Sequence, residues 1–266
     1  MSVITNQGFG KGTNQHHSVL IIEIGDSPAN KKAYISERRE DLYAIGQVMY
    51  TLRAPSQEAA VELLEKGGDF LLNEYMQQTS NILKKKFKGM RSAKINEELG
   101  ITLGVNIDIP SNFIIAANYN DFMWMRQMRE RYADGQDHEI QIGILCYSYP
   151  YTDSLAFSLE KILDKRDSTT KKYVSGFIEG SYMKTERAYG IEATEKMVGD
   201  YYVKETRGVW KMHNAFMGGP FISLTTYDEK KQRIVVVEGY VYAPHFRKME
   251  YLREVEAILY SFNFNE

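Results

Sequence analysis

Arg207-Gly208-Val209-Trp210, Phe216-Met217-Gly218-Gly219-Pro220-Phe221 and Gly239-Tyr240-Val241-Tyr242-Ala243-Pro244 run into Tyr251-Leu252-Arg253-Glu254-Val255-Glu256-Ala257-Ile258-Leu259-Tyr260-Ser261. The first three blocks mix polar residues with aromatic and β-branched ones, as strands do, and Gly and Pro punctuate them. The fourth puts Tyr251, Leu252, Val255, Ile258, Leu259 and Phe262 on one stripe, the spacing of an amphipathic helix. These patterns predict strands over 201–212, 221–227 and 233–242, and a terminal helix packed on them.

Upstream, 122–127 and 140–149 read as strands. Asp153 starts a helix that carries Leu155, Leu159, Ile162, Leu163 and Arg166 on one face. Ile101, Leu103, Val105, Ile107 and Ile109 alternate before Pro110, which predicts a half-buried strand. Ser18 to Ile24 is a short apolar strand closed by Gly25-Asp26-Ser27-Pro28. A second strand lies within 42–53, where Val48, Tyr50 and Leu52 alternate against Gln47, Met49 and Thr51. Ser56 can cap the helical stretch after it, either two helices or one kinked at Gly67-Gly68, ending near Gly89. Residues 1–17 form a lead-in. Its Gly8-Phe9-Gly10-Lys11-Gly12 does not read as a phosphate loop, because no strand precedes it and no clear helix comes after it.

Adjacent strands at hairpin spacing, with helices between them, predict an α+β class: a mainly antiparallel sheet with packed helices. Residues 98–266 suffice for a complete sheet-and-helix domain. Residues 1–97 offer two strands and a helical stretch, which is thin for an independent domain and reads as part of something larger.

With 33 basic and 35 acidic residues the formal net charge is -2, so there is no long-range field for nucleic acid or an anionic membrane. Lys84-Lys85-Lys86-Phe87-Lys88 reads as the solvated end of a helix, where cations suit the dipole, rather than as a nucleic-acid patch. The single cysteine, Cys146, lies in an apolar run and reads as a buried, inert thiol. No CxxC or HExxH spacing occurs, so no metal site is expected, and His16-His17 has no carboxylate or thiol partner nearby in sequence. No apolar stretch approaches the roughly 20 residues that span a bilayer. Met1-Ser2-Val3-Ile4-Thr5-Asn6 lacks the basic-then-apolar form of a signal peptide.

Tyr149-Pro150-Tyr151-Thr152-Asp153, Lys165-Arg166-Asp167-Ser168, Gly180-Ser181-Tyr182-Met183 and the three blocks above, taken in order, resemble domain-of-unknown-function family 4837 across residues 16–263. The resemblance implies a Bacteroidota envelope protein, periplasmic or lipid-anchored, made with an N-terminal signal, a lipid-bearing cysteine and an extra strand–helix segment. This chain shows none of the three, which reads as a shortened or late-starting form. The element order after residue 100 is also similar to the α/β/α sandwiches of PsbP and Mog1-like proteins, a likeness of fold alone.

Tyr149, Tyr151 and Asp153 could form an aromatic platform with a carboxylate, or Asp153 could cap a helix while the rings pack on the sheet. Arg207 and His213 share a strand face, with Trp210 opposite in the core. Arg207 could hold an anion or pair across the sheet with a carboxylate such as Glu238. Gly218 and Gly219 could let a ligand approach the backbone, or simply form a turn or bulge before Pro220. Trp124 with Phe122 and Arg126 reads as alternating core and surface rather than as a stacking site. Asp153, Asp167 and Glu186 could supply an acid–base pair, but nothing in the sequence fixes their separation. No Gly-x-Ser-x-Gly elbow occurs, and no catalytic residue or cofactor is assigned. The expectation is a non-catalytic binding or accessory module of the cell envelope, serving an envelope protein or a small ligand. The alternative is a hydrolase of envelope glycans or peptides using Asp153 with Arg207 or His213.

Overall fold

The computed structural model describes residue 10 and residues 12–265, so the N-terminal glycine pattern, with its Gly8, Phe9 and Lys11, lies outside the described residues. The chain clusters into two compact units, residues 1–82 and 83–266. The division at 97/98 read from the sequence lies inside a continuous helix, Ala93–Leu103.

The first unit is built on β1 (Ser18–Ile24), β2 (Tyr34–Ile35), β3 (Arg39–Glu40) and β4 (Val48–Ala54), followed by α1 (Gln57–Gly89). β4 is central: β1 runs parallel to it, and β2 and β3 pair antiparallel with it. The described residues of this unit therefore hold four strands where the sequence shows two. The other pair are two residues long each, too short to generate periodicity. Val48, Tyr50 and Leu52 bury against Leu64, Leu71 and Tyr75 of α1, but Gln47, Met49 and Thr51 between them are buried as well, because β4 is central and covered on both faces. α1 passes through Gly67-Gly68 as one helix. A Cβ at Gly67 would lie 3.0 Å from Ile35 Cδ1, so the glycine lets β2 pack closely. Lys86 and Lys88 occupy its last turn, where the helix dipole favours them.

The second unit comprises α2 (Ala93–Leu103), β5 (Val105–Asn106), β6 (Ile114–Tyr119), β7 (Phe122–Ala133), β8 (Gln136–Pro150), α3 (Leu159–Tyr173), β9 (Tyr182–Thr185), β10 (Glu192–Val198), β11 (Tyr201–His213), β12 (Gly218–Asp228), β13 (Arg233–Tyr242), α4 (Met249–Leu259) and β14 (Asn263–Phe264). Eight strands form one antiparallel sheet in the order β10-β11-β12-β13-β8-β7-β6, with β9 also on β11. β7 and β8 are joined by Asp134-Gly135, both at positive φ, the two-residue turn that matches strand twist.

Two readings are corrected. The alternation from Ile101 to Ile109 is not one strand: its first part ends α2. Ser92 Oγ accepts the Ile95 N–H, and Gly104, at φ 64, closes the helix with its N–H on Gly100 O. Ile95, Leu99 and Leu103 are buried at helical spacing while Ile101 is 76% exposed. From Val105 onward the alternation is real, with Val105, Ile107 and Ile109 all buried. The helix expected to start at Asp153 starts six residues later. Asp153 caps a 3-10 turn, Ser154–Phe157, and Ser158 Oγ accepts the Lys161 N–H to cap α3.

The sheet has two differently covered faces, which gives α/β/α layering. One face carries Met123, Met125, Ile142, Ile144, Val235, Val237, Ile222 and Leu224 beneath α2 and α4. The α4 stripe is the one its sequence predicts, with Tyr251, Val255, Ile258, Leu259 and Phe262 buried. A Cβ at Gly239 would lie 2.3 Å from Val255 Cγ1, so that glycine sets how closely α4 approaches. Glu205 lies on this face. It meets Lys196 at 2.6 Å, Arg207 at 2.7 Å and the Tyr260 hydroxyl at 2.5 Å. Burial alone would raise its pKa, but these three donors together hold the carboxyl below the usual range.

The opposite face carries Phe122, Leu145, Tyr147, Val236, Tyr240, Phe221 and Trp210, covered by α3. At its centre Arg166 of α3, 1% exposed, forks onto both oxygens of the fully buried Glu238 at 2.9 and 2.7 Å. Thr185 Oγ1 accepts another Arg166 N–H at 3.0 Å, and the guanidinium lies 4.0 Å over the Phe221 ring.

These pairs set the stability of the sheet's two faces. Replacing Arg166 with Met should cost about 3–5 kcal/mol, because Glu238, whose pKa burial already raises, is left buried without its partner, whereas R166M with E238M together should recover most of it. Denaturant titration of the three variants checks this. Glu205, whose pKa is lowered by folding, contributes stability that is present above about pH 4.3, the unfolded value, and is lost as pH falls through the folded value. E205Q should cost about 1–3 kcal/mol at pH 7 and flatten the decline in stability between about pH 5 and 3, read by urea unfolding across that range.

Candidate functional site

The residues singled out from sequence do not converge. Asp153 is exposed, and its Oδ1 accepts the Leu155 N–H at 2.8 Å, a capping role. Tyr149 is half-buried, with Tyr147 stacked at 6.4 Å and Lys165 4.9 Å over its ring, and burial pushes its hydroxyl up to about 12. Tyr151 packs against Tyr227 at 4.9 Å and borders an aromatic pocket of about 710 Å³ with Phe157, Tyr201, Tyr202 and Phe264. Arg207 is engaged by Glu205 at 2.7 Å and Glu256 at 2.5 Å beneath α4. Its partners are carboxylates, as one reading requires, but not Glu238, which is taken by Arg166 on the other face. His213 lies six residues along β11, roughly 20 Å away at strand rise, and its ring sits tilted against that of Tyr182 at 4.8 Å.

Gly218 and Gly219 are ladder positions of β12, opposite Lys211 and Trp210, and not a turn. A Cβ at Gly219 would lie 2.0 Å from Val241 O, and one at Gly218 would lie 2.8 Å from Trp210 O. Their lack of side chain admits neighbouring backbone, not a ligand. Asp167 accepts from Thr185 N, Thr185 Oγ1 and Arg187, while Glu186 pairs with Lys211. These two carboxylates brace β9 and the loop after it. Cys146 is buried, and burial raises its thiol pKa. Among the described residues no three His, Cys, Asp or Glu side chains are grouped to hold a metal ion. No described helix is long and apolar enough to cross a membrane.

A different site lies on the α3 face. Beyond the C-terminal end of α3, a smaller cavity of about 250 Å³, open to solvent on one side, is lined by Trp124, Arg126, Gln141, Trp210 and Tyr240 of the sheet. Val174, Gly176 and Phe177 of the loop after α3 close one side, and Met183, Met212 and Met217 line the rest. Strand alternation puts Trp124 and Arg126 on this face. A Cβ at Gly143 would lie 2.1 Å from Tyr240 Cε1, so the missing side chain there lets the phenol lie over β8. The Tyr240 hydroxyl then meets Trp124 Nε1 and Gln141 Nε2, each at 3.1 Å.

Arg126 differs from Arg166, Arg207 and Arg233 of this unit, each of which has a carboxylate partner. Its cross-strand neighbours are Ile114 and Gly143, neither with a side chain that can accept a hydrogen bond. Its Nε is buried without a partner, and the guanidinium has no ion pair among the described residues; it lies 5.5 Å over the Trp124 ring. The sequence assigns Trp124 and Arg126 to core and surface alternation. That parity is right, but alternation alone misses their meeting at one cavity. An arginine on a core-facing strand position with no acid at either paired position is the signal that would show it.

No curated protein matches the chain. Among solved structures it is similar to a mutant of the protein Mog1, at 11% identity and TM-score 0.35, covering 61% of this chain and 92% of that one. It is likewise similar to the Ran-binding protein Mog1p of Saccharomyces cerevisiae, at 10% identity and TM-score 0.35, covering 60% of this chain and 90% of that one. Residues 1–88 match a second domain of unknown function, DUF8532. Residues 69–261, most of the chain and nearly all of the second unit, match DUF4837, and the chain belongs to that domain-of-unknown-function family.

Proposed function

We propose that this chain is a non-catalytic binding module of the bacterial cell envelope, and that the cavity beyond α3 is its ligand site. The observation that carries the reading is Arg126, which lines the cavity with its Nε buried and unpartnered and with no ion pair among the described residues. A folded core leaves such a group unpaired at a cost, and a bound ligand removes that cost. The non-catalytic part is supported by what surrounds it. Among the described residues lining the cavity there is no His, Asp or Glu, so Ser175, the one hydroxyl there besides Tyr240, has no carboxylate or imidazole base within that lining. The hydrolase alternative needs Asp153 with Arg207 or His213; the capping bond of Asp153 and the two carboxylates on Arg207 engage those groups elsewhere. The envelope location rests on the family resemblance.

Both tryptophans of the chain, Trp124 and Trp210, line the cavity, so intrinsic fluorescence reports on it directly. In a screen of small organic acids, amines and amides, at least one compound should shift that fluorescence saturably with a single site. Ala116→Phe at the cavity lip should weaken it at least about tenfold. Binding that persists unchanged in A116F, or no saturable compound, would overturn the placement of the site; chemical conversion of a bound compound would overturn the non-catalytic reading. Fractionation of host cells tests the location: recovery with the envelope is expected, and recovery in the cytosol contradicts it.

A further inference from the structure

We infer that the cavity takes a small organic anion, a carboxylate with a short apolar body, with Arg126 as the anchor of the charged end. The inference rests on the cavity being a binding site and names what it binds. Three observations carry it.

The first is charge. None of the residues lining the cavity is acidic, and Arg126 is the one cation among them. A guanidinium presents five N–H donors and no acceptor, and its fork matches a carboxylate. The second is the donor balance around Tyr240. Indole Nε1 of Trp124 can only donate, so the phenol oxygen accepts there. With Gln141 donating as well, the phenol hydrogen has no acceptor among the described residues. If the Gln141 amide is turned over, the phenol donates to it and the amide N–H₂ is freed instead. Either arrangement leaves a donor unused beside the cavity, and an anion with two oxygens can take it together with Arg126. The third is size and lining. About 250 Å³ holds a small molecule only. The remaining wall is indole, thioether and aliphatic: Trp210, Met183, Met212, Met217 and Val174. Thioethers adapt to irregular apolar shapes, which suits a short hydrocarbon or ring rather than a hydrated inorganic anion.

The carboxylate could belong to a free organic acid or to the C-terminus of a peptide chain. Titrations following tryptophan fluorescence compare hexanoate with hexanamide, and N-acetyl-Ala-Leu with its C-terminal amide. The carboxylate of at least one pair should bind at least about tenfold tighter than its amide, the margin expected of charge-assisted hydrogen bonds. Preference within the hexanoate pair assigns free acids; preference within the peptide pair alone assigns chain ends. R126M should abolish the preference while leaving amide binding in place, and R126K should keep part of it, since the charge remains and the fork is lost. Arg126 has no internal partner to strand, so both variants should retain the near-ultraviolet dichroism of the fold. Equal binding of acid and amide by the wild type would overturn the anion assignment and leave the binding site standing. Failure of every probe, acid and amide alike, would count against the site itself.

Discussion

The buried fork between Arg166 and Glu238 governs the α3 side of this molecule. α3 has a charged residue at the centre of its apolar stripe, and the sheet face beneath it has a carboxylate at the centre of its own. Neither could be dehydrated alone. Together, with Thr185 on a third N–H and Phe221 under the guanidinium, they pin one helix to one register over the sheet. That placement determines what α3 leaves uncovered. At about 1.5 Å per residue the helix spans roughly 22 Å, while β8 at strand rise extends about twice as far. The other face is covered by α2 and α4; this one has a single helix and, beyond its end, a cavity.

The same register explains why Arg166 and Arg126 differ. Both project from or onto the same face, and both lie against an aromatic ring. One has its carboxylate inside the fold. The other has Gly143 and Ile114 where a carboxylate would have to stand, and Gly143 is itself required by the Tyr240 ring. The two cross-strand positions beside Arg126 thus serve packing, and the positive charge is left to whatever enters the cavity.

Much of the architecture is legible in the sequence. The stripe from Tyr251 to Phe262, the strands around Trp210 and Val236, and Arg166 on the inward face of α3 all follow from period alone. The misreadings have physical causes. Ile101 and Leu103 fit a two-residue alternation as well as a helical one, and the caps at Ser92 and Gly104 decide between them. Asp153 does cap, but Ser158 caps the longer helix. β6, β9 and β10 carry too little apolar contrast to be seen, because two lie at the sheet's borders and β9 is four residues long. The candidate site is the least legible part. Tyr149, Asp153, Arg207 and His213 stand out by chemical type, and each is occupied locally. Trp124, Arg126, Gln141 and Tyr240 come from three strands separated by up to 116 positions, and only the sheet order brings them together.

Two arginines under one sheet face therefore differ in one respect: Arg166 is satisfied within the fold and Arg126 is not. Side-chain Nε–H resonances of arginine, assigned through R126K and R166K and followed by ¹⁵N–¹H NMR while whichever of hexanoate and N-acetyl-Ala-Leu binds is added, address this directly. The Arg126 resonance should move progressively to a saturating position while that of Arg166 stays where it is. Movement of neither would mean that Arg126 is already satisfied or inaccessible, and would contradict the account.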